Sequence, residues 1–181
     1  VEPVDAIDYM LDATAPGRLE LVRRFANTLD EEHGREALHS PEQLRKLLVE
    51  LGLLDRGVRV SHGDLARAHA LRDRLRELAL ANNGLTTRFA SLEANLVVRV
   101  HAGGGALVPH GRDVEGAFGD LVGIVYTAIA DGTWPRLKAC RRDVCRWLFY
   151  DRSRNRSAVW CQMSVCGNRT KTKAYRARRR A

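Results

Sequence analysis

The chain has 181 residues, 45% of them hydrophobic and 29% charged. That is the composition of a soluble globular protein, and the length fits one average domain or one domain with a small appendage. It speaks against a membrane protein, because no apolar run approaches the ~18–20 residues a span needs. Val1 to Met10, with three acids and no base, does not read as a signal peptide. The net charge of +8 is unevenly placed: Arg136 to Ala181 carries 15 Lys+Arg against 2 Asp+Glu, a net of +13, and residues 1–135 come to −5. A mildly acidic body joined to a strongly basic end suggests two physical jobs.

The body reads as mainly helical. After Pro16-Gly17, the residues Leu19, Leu21, Val22, Phe25, Ala26 and Leu29 form an apolar stripe of helical period. Ser40-Pro41-Glu42-Gln43 is a helix start, with Ser as cap and Pro at the first position, and the stripe Leu44, Leu47, Leu48, Leu51 runs to Gly52. Ser61-x-x-Asp64 opens the longest helix, with Leu65, Ala68, Leu71, Leu75 and Leu78 inward and Asn82-Asn83-Gly84 as the stop. A shorter helix is expected over Thr87–Ala94. Leu96, Val98 and Val100 then alternate with Val97, Arg99 and His101. Gly103-Gly104-Gly105 and Ala106-Leu107-Val108 complete a small β-hairpin. Asp113 caps a last body helix through Phe118, Leu121, Val122, Val125, Ile129 and Ala130, and Trp134-Pro135 marks the boundary. The expected organisation is a helical domain over 1–133 and a basic domain over 134–181, packed closely because no long linker separates them.

All four cysteines lie in the basic end, spaced C-x4-C-x15-C-x4-C: Cys140, Cys145, Cys161 and Cys166. Four thiolates are a complete tetrahedral donor set for zinc, and a segment this small needs such a staple to fold. A cytoplasmic setting, the natural one for this composition, disfavours two disulfides. A redox switch that releases metal is the minor alternative. A site closed by four protein ligands has no open position for water, so the zinc is structural rather than catalytic. The spacing predicts a knuckle at Cys140 and Cys145, a strand Trp147–Tyr150, a polar turn, and a returning strand Ala158–Trp160. Cys161 and Cys166 then lead into a final helix, giving a treble-clef-like finger. Trp147, Phe149 and Trp160 read as its core.

The final helix should begin near Asn168. Arg169, Lys173, Arg176 and Arg180 then share one face, with Thr172 and Arg179 at its edge and Lys171 beside it. A face of uniform sign fixed to a metal site is suited to neutralising phosphates of double-stranded DNA. Arg152, Arg154 and Arg156 in the polar turn are further candidates for backbone phosphates. RNA binding, or docking to a ribosome, fits the same charge.

Beyond these spacings, Cys166-Gly167-Asn168-Arg169 is the signature of the CGNR zinc finger. Arg136–Cys140, Cys145–Asn155 and Trp160–Met163 resemble the rest of that finger. The body resembles the ABATE domain that precedes it: Phe25-Ala26-Asn27-Thr28 is similar to its F-x-N-T element and Leu71-Arg72-Asp73-Arg74-Leu75 to its L-R-x-x-L helix. The resemblance implies a stress-linked transcription regulator whose finger binds DNA. In this setting Gly167 should let the chain turn sharply into the helix, Asn168 should cap the helix or bond backbone amides of the knuckle, and Arg169 should reach phosphate or pair with Asp143 or Asp151.

The acidic body is the expected sensor, with Phe25, Asn27, Thr28 and Arg72 as candidate lining of a pocket for a small-molecule effector. The competing reading is that Asn27 and Thr28 cap their helix or bond to Arg72. A homodimer would match paired half-sites, though no heptad run supports one. The six histidines show no ligand spacing, and there is no P-loop, dinucleotide fingerprint or G-x-S-x-G. The chain is therefore not expected to be an enzyme.

Overall fold

The computed structural model describes residues 14–87 and 91–179. Helix α1 (Leu19–Ala26) buries Leu19, Val22, Phe25 and Ala26, as its stripe requires. It ends earlier than the stripe suggests: Leu29 starts β1 (Leu29–Asp30), paired antiparallel with β2 (Arg35–Glu36). The turn of this miniature hairpin holds Glu31 and Glu32 and closes through Gly34 at φ 62°. Helix α2 (Pro41–Glu50) begins at Ser40, whose hydroxyl accepts from the Gln43 amide, and buries Leu44 and Leu48.

Helix α3 (His62–Ala81) has the reciprocal capping box of Ser61 and Asp64. Its inner face is rotated from the expected stripe. Leu65, Ala68, Leu75 and Ala79 are buried, together with Arg72 and Arg76, whereas Leu71 and Leu78 are only partly covered. Two arginines thus occupy positions that periodicity assigns to apolar residues.

The helix expected over Thr87–Ala94 is not formed where it can be described. Residues 91–95 are irregular, and 88–90 lie outside the described residues. The next hairpin is formed as expected: β3 (Leu96–His101) pairs with β4 (Gly104–Pro109), Val98 opposite Leu107. It rests on α4 (Val114–Ala130), where Leu96 meets the bare backbones of Gly119 and Gly123. Asp113 caps α4 by accepting from the Gly116 amide at 2.9 Å. The helix buries Phe118, Leu121, Ile124, Val125 and Ala128, and Ile129, expected inside, is exposed.

Trp134 leads into β5 (Leu137–Ala139), which pairs antiparallel with β6 (Leu148–Tyr150). This differs from the expected pairing. The strand at 148–150 returns on the segment before the knuckle, and Ala158–Trp160 is not a strand. The reason is local: Cys140 and Cys145 form the tip of the β5–β6 connection, and the Cys140 amide extends the ladder to the Trp147 carbonyl at 2.9 Å. Val159 still lies alongside, accepting from the Arg141 amide at 3.0 Å. A π-helical turn (Met163–Gly167) passes directly into α5 (Asn168–Arg178).

The architecture is mainly α with small antiparallel strand pairs, as expected. Body and finger share one core: Leu137, Ala139 and Leu148 of β5 and β6 pack in the same cluster as Phe25, Leu75 and Leu121. No described helix is long and apolar enough to cross a membrane.

Candidate metal centre and nucleic-acid interface

The four cysteines converge. Cys140 and Cys145 come from the β5–β6 tip, Cys161 from the approach to the π turn and Cys166 from within it, and all four sulfurs lie within 4.8 Å of one another. Cys161 Sγ is 3.7 Å from both Cys145 Sγ and Cys166 Sγ. The edge of a tetrahedron of thiolates at ~2.3 Å from zinc is about 3.8 Å. A disulfide would need about 2 Å. The donor set and its spacing fit zinc, and the chain holds one structural zinc ion there.

The crowding of the sulfurs has an electrostatic consequence. The crowded thiols push Cys161 and Cys145 far above the ordinary thiol range, since each shares hydrogen bonds with its neighbours, Cys140 first. The same bonds, with help from Arg142, pull Cys166 far below it. Four thiolates cannot share this volume without a dication. When bound, zinc supplies that charge and ties both ends of the finger together.

Of the expected finger core, Trp147 and Trp160 pack on the cysteines, whereas Phe149 is buried but lies outside that cluster. Gly167 has a different reason from the one expected. Its φ is −63°, an ordinary helical value, but a Cβ there would lie 2.5 Å from Met163 Sδ and 3.4 Å from the Trp160 ring. The position needs a small residue for packing, not for an unusual backbone angle. Among the described residues, Asn168 neither caps α5 nor accepts from a backbone amide; its Nδ2 donates to the Ser164 carbonyl at 3.0 Å. The helix needs no cap at that point because the π turn feeds it.

One residue that the sequence hardly signalled organises the finger. Asp151 is 1% exposed. It accepts from Lys138 Nζ at 2.7 Å, the Ala158 amide at 3.1 Å, and the Ser153 amide and hydroxyl at 2.9 and 2.6 Å. Burial alone would raise its carboxyl, but Lys138 and Ser153 outweigh that and hold it below the usual range. The sequence pattern that fits this role is Asp151-x-Ser153 after a strand, a common Asx-turn arrangement.

The expected pocket residues serve another purpose. Phe25 is fully buried, and Asn27, Thr28 and Arg72 are nearly so. Asn27 makes a two-way bridge to the finger: Nδ2 donates to the Leu148 carbonyl at 2.9 Å, and Oδ1 accepts from the Leu148 amide at 2.8 Å. Thr28 donates to the Phe25 carbonyl at 2.9 Å and accepts from Arg72 at 3.3 Å, and Arg72 also donates to Glu36 at 2.7 Å. Most of their polar atoms bind protein, which supports the structural alternative over a ligand-lined pocket; among the described residues Arg72 Nε makes no hydrogen bond and lies 3.6 Å from Asp73 Oδ1. Arg76, which the sequence did not single out, and Asn82 and Asn83, which it marked only as a helix stop, extend the seam. Arg76 reaches the Arg146 carbonyl at 3.4 Å, Asn82 the Trp134 and Leu137 carbonyls at 2.9 and 2.8 Å, and Asn83 the Ala139 and Val159 carbonyls at 2.8 and 2.9 Å.

The expected phosphate-binding cations divide into two groups. Lys171, Lys173, Arg176 and Arg179 are exposed on or just after α5, as is Arg178; Arg180 lies outside the described residues. Arg169, Lys173 and Arg176 line a groove of about 570 Å³ along the helix with Thr172, the face that periodicity predicted. Arg154 and Arg156 are exposed in their turn. Arg152 instead donates to the Thr14 carbonyl at 2.9 Å. Arg169 pairs with neither Asp143 nor Asp151 but with Glu32 of the body, and Arg142 donates to the same carboxylate at 2.6 Å.

With this geometry in place, comparison with known families decides the lineage. Residues 19–131 match the family model ABATE, described as "Putative stress-induced transcription regulator", and residues 136–179 match the CGNR zinc finger. The chain belongs to the ABATE family. No curated protein matches the sequence. In this ABATE protein the cysteine cluster and the helix after it fall wholly within the CGNR match, and the Asn27 bridge joins the two matched regions.

Proposed function

We propose that this ABATE protein is a transcription regulator that binds double-stranded DNA through α5. One observation carries the reading: α5 is uniformly basic, and none of its described residues is buried. A helix that buries no residue contributes little to the core, and eleven residues are marginal as an isolated helix in water. A polyanion along its cationic face would supply the missing stabilisation. The helix is fixed at one end by the zinc site, so its direction is set while its face stays available. Arg154, Arg156, Lys171, Lys173, Arg176 and Arg179 are the proposed phosphate contacts.

Equilibrium binding of the zinc-loaded chain to duplex DNA at several salt concentrations tests this. Arg176→Ala and Lys173→Ala should each weaken binding and each flatten the log–log salt slope by about 0.9. Unchanged affinity in both variants would remove α5 from the interface. Structured RNA as competitor separates DNA from RNA recognition.

A sensing role for the body is supported by a cleft of about 800 Å³ between the α1 start, the β3–β4 hairpin and α4. Leu19, Val98, Leu107 and Ile124 give it apolar walls, and the Arg18–Asp120 ion pair, Tyr126 and Thr127 give it a polar rim. This pattern suits a small amphipathic effector. A thermal-shift screen on the intact chain, repeated with Val98→Glu, checks it.

A further inference from the structure

Glu32 lies in the turn of the β1–β2 hairpin, yet both its carboxylate oxygens are taken by the finger. Oε2 accepts from Arg142 of the knuckle at 2.6 Å, and Oε1 accepts from Arg169 on the first turn of α5. The neighbouring Glu31 meets Arg76 at 3.2 Å and Arg146 at 3.9 Å. Two guanidiniums converging on two oxygens of one anion is the arrangement that recognises a phosphate diester. Arg169 also lines the groove along α5 with Lys173 and Arg176. Its side chain is 57% exposed, so the pair borders solvent.

We infer that Arg142 and Arg169 form a phosphate subsite of the finger, masked in this conformation by Glu32 acting as an internal anion. The site's chemistry is that of a phosphate dianion or diester. Its identification with nucleic-acid backbone rests on the function proposed above. The mask is under the body's control. The hairpin carrying Glu32 is only two residues per strand and is held to α3 by Arg72–Glu36 and by Arg76 on the Leu29 carbonyl. Any shift of that hairpin lifts a negative charge from the finger and exposes two cations together.

Glu32→Gln in the full-length, zinc-loaded protein tests this. Duplex DNA should bind about tenfold more tightly, with a salt slope steeper by about one to two, as expected for two added phosphate contacts. Arg169→Ala should cost less than twofold in the wild type and should abolish the gain in the Glu32→Gln background. Glu50→Gln removes the same charge from a body ion pair with Arg24. An equal gain there would reduce the effect to net charge and overturn the proposal. Inorganic phosphate is the second probe. It should raise the melting temperature of Glu32→Gln, but neither that of the wild type nor that of Glu32→Gln/Arg169→Ala. If no form binds DNA, the DNA reading fails, and the phosphate shifts alone decide the subsite. If Glu32→Gln gains neither phosphate protection nor affinity, or if Arg169→Ala weakens the wild type as much as Arg176→Ala does, the subsite is not masked and the inference falls.

Discussion

At the residue scale, Asp151 and Asn27 show how few polar groups hold the finger. Asp151 closes a buried ion pair with Lys138, and its removal leaves a cation in the core. Asp151→Asn should cost about 3–5 kcal/mol of unfolding free energy by denaturant titration. The pH dependence has a definite sign. The carboxyl ionises at lower pH in the folded chain than in the unfolded one, so its stabilisation is complete above about pH 4. It is lost as pH falls through the lowered folded value. The stability gap between wild type and Asp151→Asn should therefore narrow on acidification. Asn27→Ala strands the buried amide and carbonyl of Leu148, and about 3 kcal/mol should be lost. Gly167→Ala should be destabilising by about 1 kcal/mol, and Met163→Ala should restore it, because the clash is with a mobile thioether. The sequence singled out Asn27 but assigned it to a pocket, and it gave Asp151 no structural role, because the strand each serves is not visible until the chain is folded.

At the element scale, the helices of the body were legible because their signals are local. Ser40, Ser61 and Asp113 cap helices where the sequence says they should. The strands were less so. The β1–β2 hairpin is too short to show a period, and β6 found its partner upstream because the metal knuckle joins β5 to β6. The inner face of α3 was misplaced for a physical reason. Periodicity counts apolar residues, while Arg72 and Arg76 are buried by partners that come from elsewhere in the chain. For α5 the prediction is spectroscopic as well as thermodynamic. Helical content measured by circular dichroism should rise when duplex DNA is added, and Arg176→Pro should abolish that rise while leaving zinc content at one per chain.

At the scale of the whole molecule, zinc and body are coupled. Leu137, Ala139 and Leu148 sit in the main core, and the same segment carries Cys140 and Cys145. Cys161→Ser should abolish stoichiometric zinc by metal analysis and lower the melting temperature of the entire chain, not of the finger alone. A fragment of residues 1–135 should be markedly less stable than the intact protein, since it lacks the β5–β6 part of its core. A metal-free variant that melts like the wild type would contradict the first, and a 1–135 fragment as stable as the intact chain the second.

The sequence by itself determined the four-thiolate zinc site, the charge division and most of the helices. Each of these depends on residue type and short spacing, which sequence records directly. The tertiary structure decided where the body meets the finger. It turned the expected pocket residues Asn27, Thr28 and Arg72 into a seam, and it placed Glu32 on Arg142 and Arg169, 110 and 137 residues away. Pairings across such distances depend on how the core closes, and no local pattern in the chain encodes them.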